Sequence, residues 1–527
     1  TQMAQVCWLV FLNRGLVDLR LNGIPLLDRR VGQLLAGVIA GLSKLRRLEV
    51  LVHCVKRGDD WMRLWPYLFF ACPPSIQKLR MIFEDYQANC GVRHSVEEEE
   101  VDDDDGEYYE TNYGYEPKDM PHWEYYLDYE MEEEELEEDE GGMSEDLVVP
   151  AVAATSFVRR QEPLSNLEEL FFHGMHGYHW DSLTDLRSMF THCPNIKKLN
   201  TYVKAGDEAI KAMGQFIAKT CPKIEVLEGG SFQKDSRGSE EYRILTSLPA
   251  QQVIHVELID CPLKIIDPAF NIKIQQHSII LREIHIGRNR SHVTISASTI
   301  LKECSNLEAL FVPFSINGYY ITLDDALRSP WVCTKLQTLM IAISGCDLPV
   351  EREVLLPYYL RPPPITLSET YHFSQLEDLY QQIGTLTSLK DLNLRMVPLK
   401  ANGQVDERKV NNNIAMSFPA MLSVGDTYAG RPGFLNHLSG LKKLETLRGS
   451  FSAETYESEK TIEWPEVVWM DQNWPLLRHA EFFSDKNKVT PPFKWLKSKR
   501  RNGRPLLRIV AGYESSGEIG SEDDDVF

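Results

Sequence analysis

The sequence predicts an α/β solenoid of stacked strand–helix units, and three observations predict it. An L-x-x-L-x-L motif, with other apolar residues allowed, recurs along the chain; its spacing is nearly constant; and helix-like segments with matching turns lie between copies. The copies begin at Leu16, Leu45, Ile76, Leu167, Ile196, Ile224, Val253, Leu281, Leu307, Leu336, Leu389, Leu444 and Leu477. The intervals are 29, 31, 91, 29, 28, 29, 28, 26, 29, 53, 55 and 33 residues, so eight of twelve fall between 26 and 31. That is the period of a leucine-rich repeat, in which one strand, a helix and two connections add up to the repeat length. One unit cannot bury its leucines, whereas stacking lets each meet its equivalents in the neighbouring units. The expected architecture is a horseshoe with a parallel sheet on the concave face and helices on the convex face.

Taken in order, the N-terminal stretch Val6–Leu12 is apolar but lacks a basic leader and a small-residue cleavage site, so it reads as the end of a helix. Ser182–Phe190, Asp207–Lys219 and Leu323–Ala326 read as helices that feed the next strand. The turns repeat as His192-Cys193-Pro194-Asn195, Thr220-Cys221-Pro222-Lys223 and Glu303-Cys304-Ser305-Asn306. Proline just past a helix end stops the helix and favours an extended segment. The helix lengths suit the ribonuclease-inhibitor type of repeat.

Five of the ten cysteines (Cys72, Cys193, Cys221, Cys304 and Cys333) stand three or four residues before a strand leucine, and there is no C-x-x-C. They read as small buried hydrophobes rather than disulfide or zinc residues. A reducing compartment, cytoplasm or nucleus, is the expectation. No run of about 18 apolar residues is present, so no membrane span is expected.

Residues 97–146 interrupt the series. They hold 25 Asp and Glu against one Lys, a net charge of −24, so the remaining sequence carries 52 acids against 55 bases. The chain's net charge of −21 comes from this insert and not from the repeats. Such self-repelling runs resist collapse, and a disordered loop is expected. Seven tyrosines and Trp123 lie between the acidic runs. Two readings stand: a solvated loop, or an acidic–aromatic tether for a basic protein.

The division expected is therefore solenoid over 1–96, insert over 97–146, solenoid over 147–511 with enlarged loops near 343–370 and 398–430, and an acidic disordered tail over 512–527. The intervals of 53 and 55 hold either a degraded repeat each or one enlarged loop, with a helix expected over Tyr371–Leu386. Lys494–Arg508 is basic and reads either as an import or nucleic-acid patch or as the solvated face of the last helix. In the tail, Ser515 and Ser521 each have an acid three residues on, which an acid-directed kinase would accept.

Catalytic motifs are absent: there is no P-loop, paired-glycine fingerprint, G-x-S-x-G or H-E-x-x-H. An enzyme, a cofactor and nucleic-acid binding are not expected. The nearest metal-like pattern, His173-x-x-His176-x-x-His179, follows strand residue Phe172 and contains Gly174 and Gly177. It reads as a loop without a completing acid or cysteine, and no metal is expected.

The candidate binding residues come from strand alternation. In each L-x-x-L-x-L the residue between the last two apolar positions points away from the core. These are Arg20, Glu49, Arg80, Phe171, Asn200, Glu228, Glu257, His285, Phe311, Met340, Asn393, Arg448 and Glu481. Glu228 and Glu257 form an acidic step, followed by His285 and then the apolar pair Phe311 and Met340. Exposed aromatic and Met groups beside charge suit a protein-binding hot spot, although any long sheet carries some outward apolar residues.

Three C-terminal blocks carry a family resemblance. They are Gln381-Gln382-Ile383-Gly384-x-Leu386-x-x-Leu389-x-x-Leu392-x-Leu394, Gly440-Leu441-x-x-Leu444-x-x-Leu447, and Glu466-x-x-Trp469-Met470-x-x-x-Trp474-Pro475-x-Leu477. With the Cys-Pro turns, they resemble large fungal F-box/leucine-rich-repeat families of the ribonuclease-inhibitor-like type. The resemblance implies the substrate-recognition part of an SCF-type (cullin–RING) ubiquitin ligase receptor, in which repeats hold a protein target and an F-box binds a Skp1-type adaptor. No L-P-x-E-I-L-type trio precedes Leu16, so an adaptor is implied only with an F-box upstream of Thr1. The alternatives are a non-ligase interaction scaffold, or a binder of basic proteins through the insert.

Overall fold

A computed structural model describes residues 2–25, 29–54, 64–85, 161–175, 184–203, 207–229, 244–245, 247–258, 268–286, 297–312, 320–346, 367–400, 405–406, 424, 433–449, 464–482, 491–500 and 508–511. The insert and the acidic tail lie outside them, as do residues 347–366 and most of 401–432.

All thirteen predicted motif copies form strands. In chain order they are β1 (Asp18–Pro25), β2 (Arg47–Cys54), β3 (Lys78–Asp85), β4 (Glu169–Met175), β5 (Lys198–Val203), β6 (Val226–Gly229), β7 (His255–Leu258), β8 (Glu283–Ile286) and β9 (Ala309–Phe311). After a short β10 (Ile321–Thr322) come β11 (Thr338–Ser344), β12 (Asp391–Val397), β13 (Thr446–Arg448), β14 (His479–Phe482) and β15 (Arg508–Ala511). The strands pair in parallel in sequence order within one 15-stranded sheet, with β10 set against the end of β11. Consecutive parallel strands need a crossover, and among the described residues a helix lies in most of them. The result is a mixed, solenoid-like α/β fold.

The register is that of the motif: Leu19 faces Leu48, Leu48 faces Leu79, and Leu339 faces Leu392. The inward leucines and the helix residues share one apolar cluster that extends from Cys7 to Leu496. Burying each such leucine stabilises by roughly 1.5–3 kcal/mol. The units are also joined by a recurring pair of backbone bonds ahead of each strand. Lys197 and Lys198 N–H both donate to the Glu168 carbonyl, at 2.8 and 3.0 Å, and Glu225 and Val226 do the same to Lys197. In the turns Asn166, Asn195 and Asn306 each donate a side-chain amide to a carbonyl of the preceding unit.

The turn cysteines behave as expected. Cys72, Cys193, Cys221, Cys304 and Cys333 are free and buried, and the Cys221 thiol donates to the Cys193 carbonyl at 3.3 Å. The helices end where the turns require: Thr184–Thr191 before Cys193-Pro194, and Asp207–Thr220 before Cys221-Pro222. Helices Gln2–Leu12 and Leu323–Leu327 agree with the reading of their segments. The helix expected over Tyr371–Leu386 begins four residues earlier and ends earlier, as Leu367–Gly384. Among the described residues no helix is long and apolar enough to cross a membrane.

Long intervals leave the sheet intact. β3 pairs directly with β4 across the insert, Lys78 facing Glu169. β11 pairs directly with β12, and β12 with β13. Among the described residues no strand stands between them, which favours the enlarged-loop reading over a degraded repeat. The first long interval holds the helix Leu367–Gly384, and the second ends in a 3₁₀ turn, Phe434–Gly440.

Two expectations need correcting. His173 lies in β4, which runs to Met175, and not in a loop; His176 and His179 fall outside the described residues. Parallel pairing with β5 resumes at Met175 after an irregularity, so Gly174 bends the strand without ending it. In helix Pro491–Arg500 the side chains of Lys494, Lys497 and Lys499 are exposed, as a solvated face requires, but the basic segment departs from that reading at its end. Arg500 is fully buried in helix Pro491–Arg500, and Arg508 opens β15. Two strands lie outside the thirteen copies: β10, only two residues long, and β15, where Leu506-x-x-Ile509-x-Ala511 keeps the motif spacing with alanine in the last place.

Candidate functional site

Within one strand the side chains at i and i+2 share a face. Because all strands are parallel and in motif register, this local rule becomes a row across the sheet. Arg20 pairs with Glu49, Glu49 with Arg80, Arg80 with Phe171, Phe171 with Asn200 and Asn200 with Glu228. Further on, Glu257 pairs with His285, His285 with Phe311, Phe311 with Met340, Met340 with Asn393, Asn393 with Arg448 and Arg448 with Glu481. β6 and β7 join the two halves through Leu227 and Val256, the residues just before Glu228 and Glu257. The thirteen predicted positions therefore form one line on the face opposite the leucines.

The row divides by chemistry. At its start Glu49, largely covered, lies between two guanidinium groups, 3.9 Å from Arg20 and 3.4 Å from Arg80. Arg80 in turn stands over the Phe171 ring, 4.5 Å from its centroid. The middle is acidic. Glu228 holds Lys198 at 2.5 Å, and Glu257 lies beside it. Burial, and then the Glu228 carboxylate, raise the Glu257 carboxyl above its ordinary range, against the pull of His255 and Lys198. Next come rings: His285 lies 5.0 Å from the His255 ring and 4.2 Å from Phe311. Burial, helped by His255, lowers the His285 pKa, opposed by Glu283 and Glu228. Met340 is half-buried beyond Phe311. At the far end Arg448 reaches Asp391 at 3.6 Å.

Two predicted positions depart from the expected exposure. Asn200 is 5% exposed and Asn393 1%. Both sit on the outward face, but their short amides lie among longer side chains. Asn200 is between Phe171 and Glu228 in the row, and Asn393 accepts a bond from Arg395 Nε at 3.0 Å. The Asn200 Oδ1 is buried and meets no donor among the described residues. Glu481 keeps its place in the register, but its side chain lies outside the described set.

A second row was missed by taking only the middle motif position. The residue two places earlier has the same parity, and these residues are also in register: Asp18 with Arg47, Lys78 with Glu169, His255 with Glu283, and Asp391 with Thr446. Several are paired, with Lys78 to Glu169 at 2.6 Å and His255 Nδ1 to Glu283 Oε2 at 2.8 Å. Strand alternation carried one step back would have found them. Together the rows build a two-by-two patch on β7 and β8, His255 and Glu257 beside Glu283 and His285. The ligand-capable atoms of His255, Glu283 and His285 lie within 4.8 Å of one another, as do those of Glu228, His255 and Glu257.

No protein-family model matches the chain. No curated protein matches it either. The functional reading therefore stands on the rows themselves and on the motifs of the sequence.

Proposed function

We propose that the chain is a leucine-rich-repeat horseshoe whose open sheet face holds a protein partner. In this reading it is the substrate-recognition part of an SCF-type ubiquitin ligase receptor. The observation that carries the binding reading is the continuous outward row, basic and aromatic at Arg20 to Phe171, acidic at Glu228 and Glu257, and apolar at Phe311 and Met340. Arg and aromatic anchors flanked by charge are the groups that dominate protein interfaces. A row spread across twelve strand pairings suits an extended partner segment more than a small molecule.

Support for the ligase role is the resemblance of the blocks at Gln381–Leu394, Gly440–Leu447 and Glu466–Leu477. A Skp1-type adaptor would dock on an F-box upstream of Thr1, and the repeats would present the target. The test uses the full chain and two variants, R20E/R80E and F311A/M340A. A target that crosslinks to the sheet face should lose at least tenfold in capture by one or both variants, and its ubiquitylation should fall when the chain is depleted. Equal capture by both variants would sink the sheet-face reading. Lost capture with unchanged ubiquitylation would leave a scaffold without a ligase role.

One other reading is favoured by a specific observation, the −24 charge of residues 97–146. A basic protein held there would dissociate with salt, and deletion of 97–146 would abolish its binding while leaving sheet-face capture intact.

A further inference from the structure

The patch on β7 and β8 has a chemistry that partner binding does not require. His255 and Glu283 face each other across the two strands, and so do Glu257 and His285, so histidine and carboxylate alternate around a square of four outward positions. Three ligand atoms, one each from His255, Glu283 and His285, fall within 4.8 Å of one another. A second, independent observation concerns the imidazoles. The Nε2 atoms of both His255 and His285 are buried and make no hydrogen bond among the described residues. An unsatisfied buried polar atom is costly, and these two belong to neighbouring rings 5.0 Å apart, which one common ligand would serve. The rings are held in place, His255 by Glu283 at 2.8 Å and His285 by the Phe311 ring at 4.2 Å. Negative charge is in excess there: Glu228, Glu257 and Glu283 gather round the patch, and Lys198 is bonded to Glu228.

We propose that His255, Glu283 and His285 bind one divalent ion of the zinc class on the outward sheet face. Two imidazoles and one carboxylate form a borderline N/O donor set that suits zinc over calcium or magnesium. Tetrahedral ligands about 2.1 Å from zinc lie roughly 3.4 Å apart, so the three side chains close on the ion by rotation about their own bonds. The backbone stays where strand pairing holds it. On binding, Glu283 exchanges its hydrogen bond to His255 for the metal, and Glu228 and Glu257 supply charge from the next two positions of the row. Three protein ligands leave a fourth position open to water or to a donor atom from a docked protein. The site does not depend on the ligase reading.

The test is titration of the full chain, stripped with a chelator, with zinc alone against a chromophoric competitor. Cobalt(II) absorption serves as a second probe. One tight equivalent is expected over the weak, salt-sensitive background of the acidic insert. It should weaken at least a hundredfold in H255A and in H285A, and at least tenfold in E283Q, with the far-ultraviolet spectrum unchanged. Cobalt should give a four- or five-coordinate visible spectrum without a thiolate charge-transfer band. Should an alanine variant fail to fold, H255N and H285N keep a polar group of similar size, and zinc should raise the Tm of the parent chain but of neither variant. The absence of a tight equivalent, or one retained at equal strength in both histidine variants, overturns the proposal. So does a cobalt–thiolate band.

Discussion

A β-carbon placed on Gly440 would stand 2.7 Å from the carbonyl oxygen of Gly384. The end of helix Leu367–Gly384 and the 3₁₀ turn Phe434–Gly440 thus meet backbone to backbone, and a β-carbon on Gly384 would overlap the His437 carbonyl. Both glycines stand in blocks that carry the family resemblance, and the close approach supplies a packing reason for their being there. Ala is ordinarily the better helix former by about 1 kcal/mol, but here overlap with rigid backbone outweighs that gain. Gly384→Ala should destabilise the chain by roughly 1–3 kcal/mol, seen as a lower denaturant midpoint, and Gly440→Ala should do so less.

Arg500 is the second such joint. Fully buried, it donates to the carbonyls of Leu477 and Trp474 and lies 3.9 Å from Asp471, which Lys499 also bonds at 2.7 Å. A planar guanidinium serves several acceptors at once, and an ammonium does not. Arg500→Ala should cost about 3–5 kcal/mol, as removing one partner of a buried charge pair does. Arg500→Lys should recover only part of that in thermal unfolding.

Adjacent residues of β2 should behave oppositely. Leu48 is fully buried, so Leu48→Ala should cost about 2–5 kcal/mol. Glu49 faces outward among arginines that are 42–55% exposed, and screened surface pairs contribute little, so Glu49→Ala should change stability by under about 1 kcal/mol. If Glu49 belongs to a partner surface, its loss should alter partner capture far more than Tm.

The turn cysteines predict a pH response. Burial pushes the thiols of Cys304 and Cys333 up to about 12 and that of Cys221 to about 11, from an ordinary value of 9.0. Above pH 9 the unfolded chain releases these protons while the folded chain keeps them. Stability should therefore be unaffected below about pH 8 and fall as pH rises from 9 towards 12. At pH 8 iodoacetamide should label the three thiols in denaturant and spare them in the folded chain, as mass spectrometry would read.

Much of the fold was legible because its information is local and periodic. The leucines of Leu16-x-x-Leu19-x-Leu21 and its twelve companions state both where a strand lies and which side is buried. A near-constant interval states that the strands stack. Parity then placed Arg20, Phe171, His285 and Met340 on the outward face. β15 carries the motif only in weakened form, Leu506-x-x-Ile509-x-Ala511 at 29 residues after Leu477 with a small alanine in the last place, and β10 is two residues long and carries no period.

What the sequence by itself determined was the alternation within each strand and the spacing between strands, since both follow from residues a few positions apart. The tertiary structure decided what depends on neighbours distant in the chain. It buried Asn200 and Asn393 beneath longer side chains of the same face. It closed the sheet across the 91-residue interval so that Lys78 meets Glu169. It also brought the side chains of His255, Glu283 and His285, 28 to 30 residues apart in the chain, close enough for their polar atoms to lie within 4.8 Å of one another. Register across a parallel sheet turns separate outward residues into a surface, and that register exists only once the units have stacked.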